Sequence, residues 1–77
     1  MIFDELKKKF PDATVKTWHQ HENGGGWVKN TATVSETAFI SPNALVYGIA
    51  KVFGNARIHD GANVFGNATI RENAQVF

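Results

Sequence analysis

Residues 28–77 read VKNTATVSETAFISPNALVYGIAKVFGNARIHDGANVFGNATIRENAQVF, and one rhythm runs through all of them. An aliphatic residue returns every six positions: Val28, Val34, Ile40, Val46, Val52, Ile58, Val64, Ile70 and Val76. Four residues after each of the first eight stands an alanine, from Ala32 and Ala38 through to Ala68 and Ala74. A period of six fits neither a helix nor a plain alternating strand. It is the period of short units stacked on one another. In an extended segment side chains alternate between faces, so each aliphatic residue and the alanine two places before it point the same way. The inward side of every unit is then one small and one branched residue, and branched residues suit strands.

The two positions that follow each strand make a corner. They carry Pro42, Gly48, Gly54, Asp60 or Gly66, and then Asn43, Asn55, Gly61, Asn67 or Asn73. Glycine and asparagine are the residues that tolerate left-handed backbone angles in turns.

This pattern resembles the hexapeptide-repeat, left-handed parallel β-helix proteins. The words GGWV (25–28), VYGIAKVFGNARI (46–58) and VFGNATI (64–70) are also similar to a group of uncharacterised bacterial and phage proteins built from V-Y-G-N-A-like units. The resemblance implies an all-β solenoid with three hexapeptides per triangular coil and a left-handed superhelix, an exception to the usual right-handed crossover. It also implies a trimeric habit.

Three sides sort the outward residues. Side one shows Trp27, Lys29, Leu45, Tyr47, Asn63 and Phe65; side two Thr33, Ser35, Lys51, Phe53, Thr69 and Arg71; side three Phe39, Ser41, Arg57, His59, Gln75 and Phe77. Trp27, Leu45, Tyr47 and Phe65 thus place four large apolar groups away from the core on one flank. Such a patch marks an interaction surface. A twelve-residue register is the alternative, since 52–63 and 64–75 match; it would stack Phe53, Phe65 and Phe77 in one column.

Upstream, residues 1–27 form a separate cap with a glycine-rich lead-in, and 28–77 the repeat, within one domain. Ile2, Phe3, Leu6 and Phe10 fall at helical spacing, acids precede Lys7, Lys8 and Lys9, and Pro11 ends the segment. The spacing predicts a short α-helix near 3–9, covering the open N-terminal end of the repeat. Thr14–Trp18 reads as a strand and His19–Gly26 as a loop.

The chain of 77 residues has no cysteine, so neither a disulfide nor a thiolate zinc site is available. Its net charge of +1 argues against a nucleic-acid binder. Neither a signal peptide nor an apolar run of membrane-spanning length is evident, so a cytoplasmic protein is expected, in the host cell if phage-encoded. The last aliphatic register, Val76, is followed only by Phe77. A parallel edge left unpaired there invites association, and a homo-oligomer, dimer or trimer, is expected.

Chemistry-bearing residues are few. His19 and His21 form an H-x-H pair and, with His59 of a neighbouring subunit, are the candidate metal ligands, after the γ-class carbonic anhydrases of this fold. His59 is the one candidate general base inside the repeat, after the hexapeptide acyltransferases. Gly24–Gly26 is not followed by the residues of a phosphate-binding loop and reads as the lead-in to the repeat. The expectation is therefore a non-enzymatic, self-associating binding or scaffold module without cofactor, a small phage protein that inhibits a host defence protein. An intersubunit acyltransferase-like or hydratase-like enzyme and a small-ligand sponge are the alternatives.

Overall fold

The computed structural model describes all residues, Met1–Phe77. The molecule is elongated, 32 × 20 × 18 Å. One helix, α1 (Phe3–Lys9), precedes ten short strands. The first two are β1 (Trp18–Gln20) and β2 (Trp27–Lys29), which pair antiparallel with His19 opposite Val28. The next four are β3 (Thr33–Val34), β4 (Phe39–Ile40), β5 (Leu45–Val46) and β6 (Lys51–Val52). The last four are β7 (Arg57–Ile58), β8 (Asn63–Val64), β9 (Thr69–Ile70) and β10 (Gln75–Val76).

From β2 onward every pairing is parallel and joins each strand to the third one after it. Three small sheets result, β1-β2-β5-β8, β3-β6-β9 and β4-β7-β10. Aliphatic residues eighteen apart lie side by side: Val28 by Val46 by Val64, Val34 by Val52 by Ile70, Ile40 by Ile58 by Val76. The twelve-residue register is thereby set aside: Phe53, Phe65 and Phe77 flank strands of three different sheets. Consecutive strands belong to different sheets, and the corner between them turns the chain.

All three sheets turn their aliphatic residues onto one core. Val28, Ile40, Val46, Val52 and Ile58 are fully buried with Ala38, Ala44, Ala50 and Ala56. Alanine is the residue that fits here, because a branched chain two places before the aliphatic one would overfill the narrow space beside the corner.

At the corners only the first of the two positions takes the left-handed conformation: Gly48, Gly54, Asp60, Gly66 and Glu72 have φ between 51° and 69°. Asn43, Asn55, Asn67 and Asn73, of a residue type that also tolerates it, do not. From Gly48 onward one left-handed residue per corner completes the turn, whereas the three earlier corners, at 30–31, 36–37 and Pro42–Asn43, use none. Gly48 has a second reason to lack a side chain, since a Cβ there would lie 2.8 Å from the Gly66 nitrogen. Asp60 (φ 51°) bears the cost of a side chain in this region. Asp60→Gly is expected to stabilise the fold by about 0.5–1 kcal/mol, the relief of left-handed strain less the chain entropy of glycine. Thermal or urea unfolding reads it directly.

Hydroxyl groups tie the corners to the coil before them. Thr31 donates to the Gly48 carbonyl, Ser35 and Thr37 to that of Gly54 (2.9 and 2.6 Å), and Ser41 to that of Asp60. Each accepting carbonyl belongs to a left-handed residue whose oxygen no strand ladder serves.

The N-terminal segment departs from expectation in three ways. Thr14–Thr17 is a turn, not a strand: the Thr17 and Trp18 amides donate to the Thr14 carbonyl (both 3.1 Å), and Thr17 Oγ1 accepts from the Thr14 amide (3.1 Å). Threonine hydroxyls here offer the backbone a local alternative to a ladder. The strand forms instead at Trp18–Gln20, from the last residue of the expected strand into the expected loop, where it closes the free edge of β2. Finally, α1 lies along the flank of the β1-β2-β5-β8 sheet: Leu6, fully buried, packs with Ala13, Trp18, Trp27 and Leu45. The Ile2 amide donates to Glu5 Oε1 (3.0 Å), which holds the first turn.

Candidate binding surfaces

The flank expected to be an open apolar surface is largely occupied by the chain itself. Trp27 (8% exposed) and Leu45 (2%) are buried, and Tyr47 is half-buried. The cause is α1 with the turn that follows it. The Trp27 indole N–H donates to the Met1 carbonyl (2.9 Å), and the N-terminal ammonium donates to the Pro42 carbonyl (3.0 Å). Phe3 meets Trp27 edge-on at 5.7 Å, and Phe10 meets Trp18 at 5.1 Å and Tyr47 at 4.9 Å. Of the expected quartet only Phe65 stays open, 56% exposed, stacked on Tyr47 at 5.2 Å with the rings 9° from parallel. Beside it, across the corner where the Ile49 amide donates to the Gly66 carbonyl, Ile49 is 60% exposed.

The three histidines have three separate roles. His19 donates from Nδ1 to Asn30 Oδ1 (2.6 Å); Asn30 Nδ2 donates to the Lys16 carbonyl (2.7 Å), which fixes the amide the right way round. His21 points the other way and is buried, its Nε2–H donating to the Ala38 carbonyl (2.8 Å). The H-x-H pair does not face one way, because β1 ends at Gln20 and the chain turns at His21. His59 lies on another sheet, and within the chain the three do not converge; no group of three His, Cys, Asp or Glu residues is placed to hold a metal ion.

His21 belongs to a device that sequence reasoning missed. Its amide donates to the Gly26 carbonyl (2.8 Å), and its carbonyl accepts from Gly25 (3.0 Å). Within this closed loop the Gly26 amide donates to the Ile40 carbonyl, and the Ile40 amide donates to the Asn23 carbonyl, both 3.0 Å. The glycine-rich segment is thus an added rung that closes the free edge of β4.

His59 stands on the outward face of the β4-β7-β10 sheet. Its Nε2–H donates to Gln75 Oε1 (3.1 Å), and its ring stacks on Phe77 at 4.5 Å. Nδ1 is left free. Around it runs a shallow groove of about 840 Å³ that crosses all three strands. Two outward columns line it, Phe39–Arg57–Gln75 and Thr37–Asn55–Asn73, with Asn23 at its upper end. No Asp or Glu lines the groove, and Arg57 is its one permanently charged group. Within the chain no hydroxyl or carboxylate side chain pairs with His59.

No helix is long and apolar enough to cross a membrane. Comparison with protein-family models, with curated proteins and with solved structures yields no match for this chain.

Proposed function

We propose that the chain is a non-enzymatic, self-associating binding module: a left-handed parallel β-helix of three hexapeptides per coil, used as a rigid scaffold for contacts with other copies of itself. The eighteen-residue pairing of three parallel sheets around one aliphatic core supports the coil reading. The observation that carries the function is the Tyr47–Phe65 stack, which runs out from under α1 and ends in an exposed ring. Rigid aromatic groups of this kind lose little entropy on association and serve as anchors of interfaces. Ile49 extends the same apolar edge around the corner.

The occupant that fits is a second copy. The exposed rim of the stack, Phe65 with Ile49, is apolar, and a symmetric contact places the same aromatic edge on both sides. In the setting that the phage-protein resemblance gives, such an assembly would present repeated faces to a host protein.

Sedimentation or light scattering of the purified chain tests the reading. A species heavier than the 8.5 kDa monomer is expected. Phe65→Asp is expected to weaken its association by about thirtyfold or more, the loss of one central anchor. A monomer at all concentrations, or an oligomer indifferent to both Phe65→Asp and Ile49→Asp, would remove the proposal.

A further inference from the structure

The groove across the β4-β7-β10 sheet lies on a different face from the aromatic edge, and all its lining residues come from one copy of the chain. Its side chains are mostly unspent. No hydrogen bond or ion pair within the chain engages the Asn55 or Asn73 amides or the Arg57 guanidinium, while Gln75 uses only its oxygen, on His59. Surface polar groups are normally solvated and unremarkable. Here they are arranged: parallel pairing puts Asn55 above Asn73 and Arg57 above Gln75, one rung apart, about 4.8 Å in any β-sheet.

We propose that this groove binds an acidic sugar, with the ligand carboxylate on Arg57 and its hydroxyls on the amides of Asn55, Asn73 and Gln75.

Each part of the lining argues for one property of the ligand. Side-chain amides both donate and accept, and so do sugar hydroxyls; a column of amides matches a row of hydroxyls without either side having to be charged. A guanidinium presents a planar fork that meets a carboxylate with two parallel hydrogen bonds. Arg57 has no carboxylate of its own chain to satisfy it, and none lines the groove to repel an anion. The Phe39 ring, half-buried at the upper end of the Arg57 column and 6.3 Å from the His59 ring, supplies a flat apolar surface for the C–H face of a pyranose. The rung repeat is close to the length of one hexose unit, so successive sugars would meet successive rungs.

The same features disfavour other ligand classes. One hydrophobic residue in the lining is too few for a compact apolar ligand, whose sites are predominantly apolar. A single fixed cation is too few for a nucleic-acid strand, whose binding rests on several phosphate contacts.

The test is a titration of the isotopically labelled full chain, followed by amide NMR shifts, with trigalacturonate, its fully methyl-esterified form and adenosine monophosphate as separate probes. Trigalacturonate is expected to shift the amides of residues 55–59 and 73–75, and the neutral ester to bind at least about tenfold more weakly, since a hydrogen bond to a charged group contributes ~1.5–3 kcal/mol. Arg57→Gln, at an exposed position that leaves the core untouched, is expected to impose the same loss on the acid and none on the ester. The Phe65→Asp chain is expected to bind the acid unchanged, because the groove is complete in one copy. The proposal fails if trigalacturonate causes no shift in the groove, or if the ester binds as well as the acid. It fails also if Arg57→Gln is without effect, if the nucleotide alone binds, or if Phe65→Asp abolishes binding.

Discussion

Replacing Leu6 by alanine is expected to release α1 from the flank of the molecule and to uncover the aromatic surface beneath it. Leu6 is the one buried residue of the helix, and it is completely so. A Leu→Ala change at such a site costs about 2–5 kcal/mol, the lost transfer energy plus the cavity left behind. A seven-residue helix has no stability of its own to set against that loss. The N-terminal ammonium on Pro42 and the indole on Met1 are exposed or half-exposed contacts, each contributing about 1 kcal/mol, and do not hold the segment alone. The chain from β2 onward keeps its own core, whose buried members include no residue of the helix. The loss is therefore read as local opening before global unfolding. Trp27 and Trp18 report it: their emission should move toward that of solvated indole, and amide exchange over residues 3–9 should rise by about thirtyfold or more while that of β5 and β6 changes little. Lys8→Ala, on the exposed face of the same helix, should stay within ~0.5 kcal/mol of the parent. The opened chain should also associate more strongly, since Trp27 and Leu45 join Phe65 on one apolar flank. Unchanged tryptophan emission and exchange would show that the helix is held by something other than Leu6.

That prediction turns on a contact whose two halves are both written in the sequence yet do not identify each other there. The interior is legible because period and composition act together. An aliphatic residue every six positions with an alanine two places before it leaves one way of facing inward, and pairing at eighteen follows once three sides close around those residues. The apolar face of α1 and the outward cluster Trp27, Leu45 and Tyr47 are equally visible. Sequence alone gives no distance between residues 6 and 45, so the cluster reads as an interface and the helix as an end cap. The route between them decides the matter, and that route is the Thr14–Thr17 turn, whose hydroxyl bonds depend on two threonines three apart rather than on any apolar pattern.

The corners are partly legible for a similar reason. Glycine and asparagine both tolerate positive φ, so composition cannot assign which of two adjacent positions uses it; the chain spends it on the first, even where that residue is Asp60 or Glu72. The asparagines at the second position are thereby free of a backbone duty, and two of them, Asn55 and Asn73, line the groove. His21 is the clearest case of a residue whose role no spacing rule reveals. In the sequence it is half of a ligand-like pair; in the fold it is a buried donor to Ala38 that holds a glycine loop in place.

Gly24→Ala should be among the most damaging single-methyl changes this chain can carry, and Gly25→Ala one residue away should be much milder. Both positions have positive φ, +108° at Gly24 and +81° at Gly25, so both variants bear backbone strain of about 1–3 kcal/mol. The difference lies in what the new methyl meets. At Gly25 it meets nothing within 4 Å. At Gly24 it would lie 2.1 Å from the Ile40 carbonyl oxygen and 2.7 Å from its carbon. Those are backbone atoms of β4, one side of the core, and they cannot swing aside as the end of a side chain would. The loop has to lift instead. Lifting breaks the two main-chain hydrogen bonds that join Asn23 and Gly26 to Ile40, at about 0.5–1.5 kcal/mol each, and pulls His21 from its seat on the Ala38 carbonyl. A buried carbonyl left without its donor adds about 1–3 kcal/mol. Gly24→Ala is accordingly expected to lose at least ~2 kcal/mol more than Gly25→Ala in urea unfolding. The Ile40 amide should lose its exchange protection in the first variant and keep it in the second. Equal losses from the two would mean that the glycine-rich segment is not seated against β4, and that the edge of that sheet is closed in some other way.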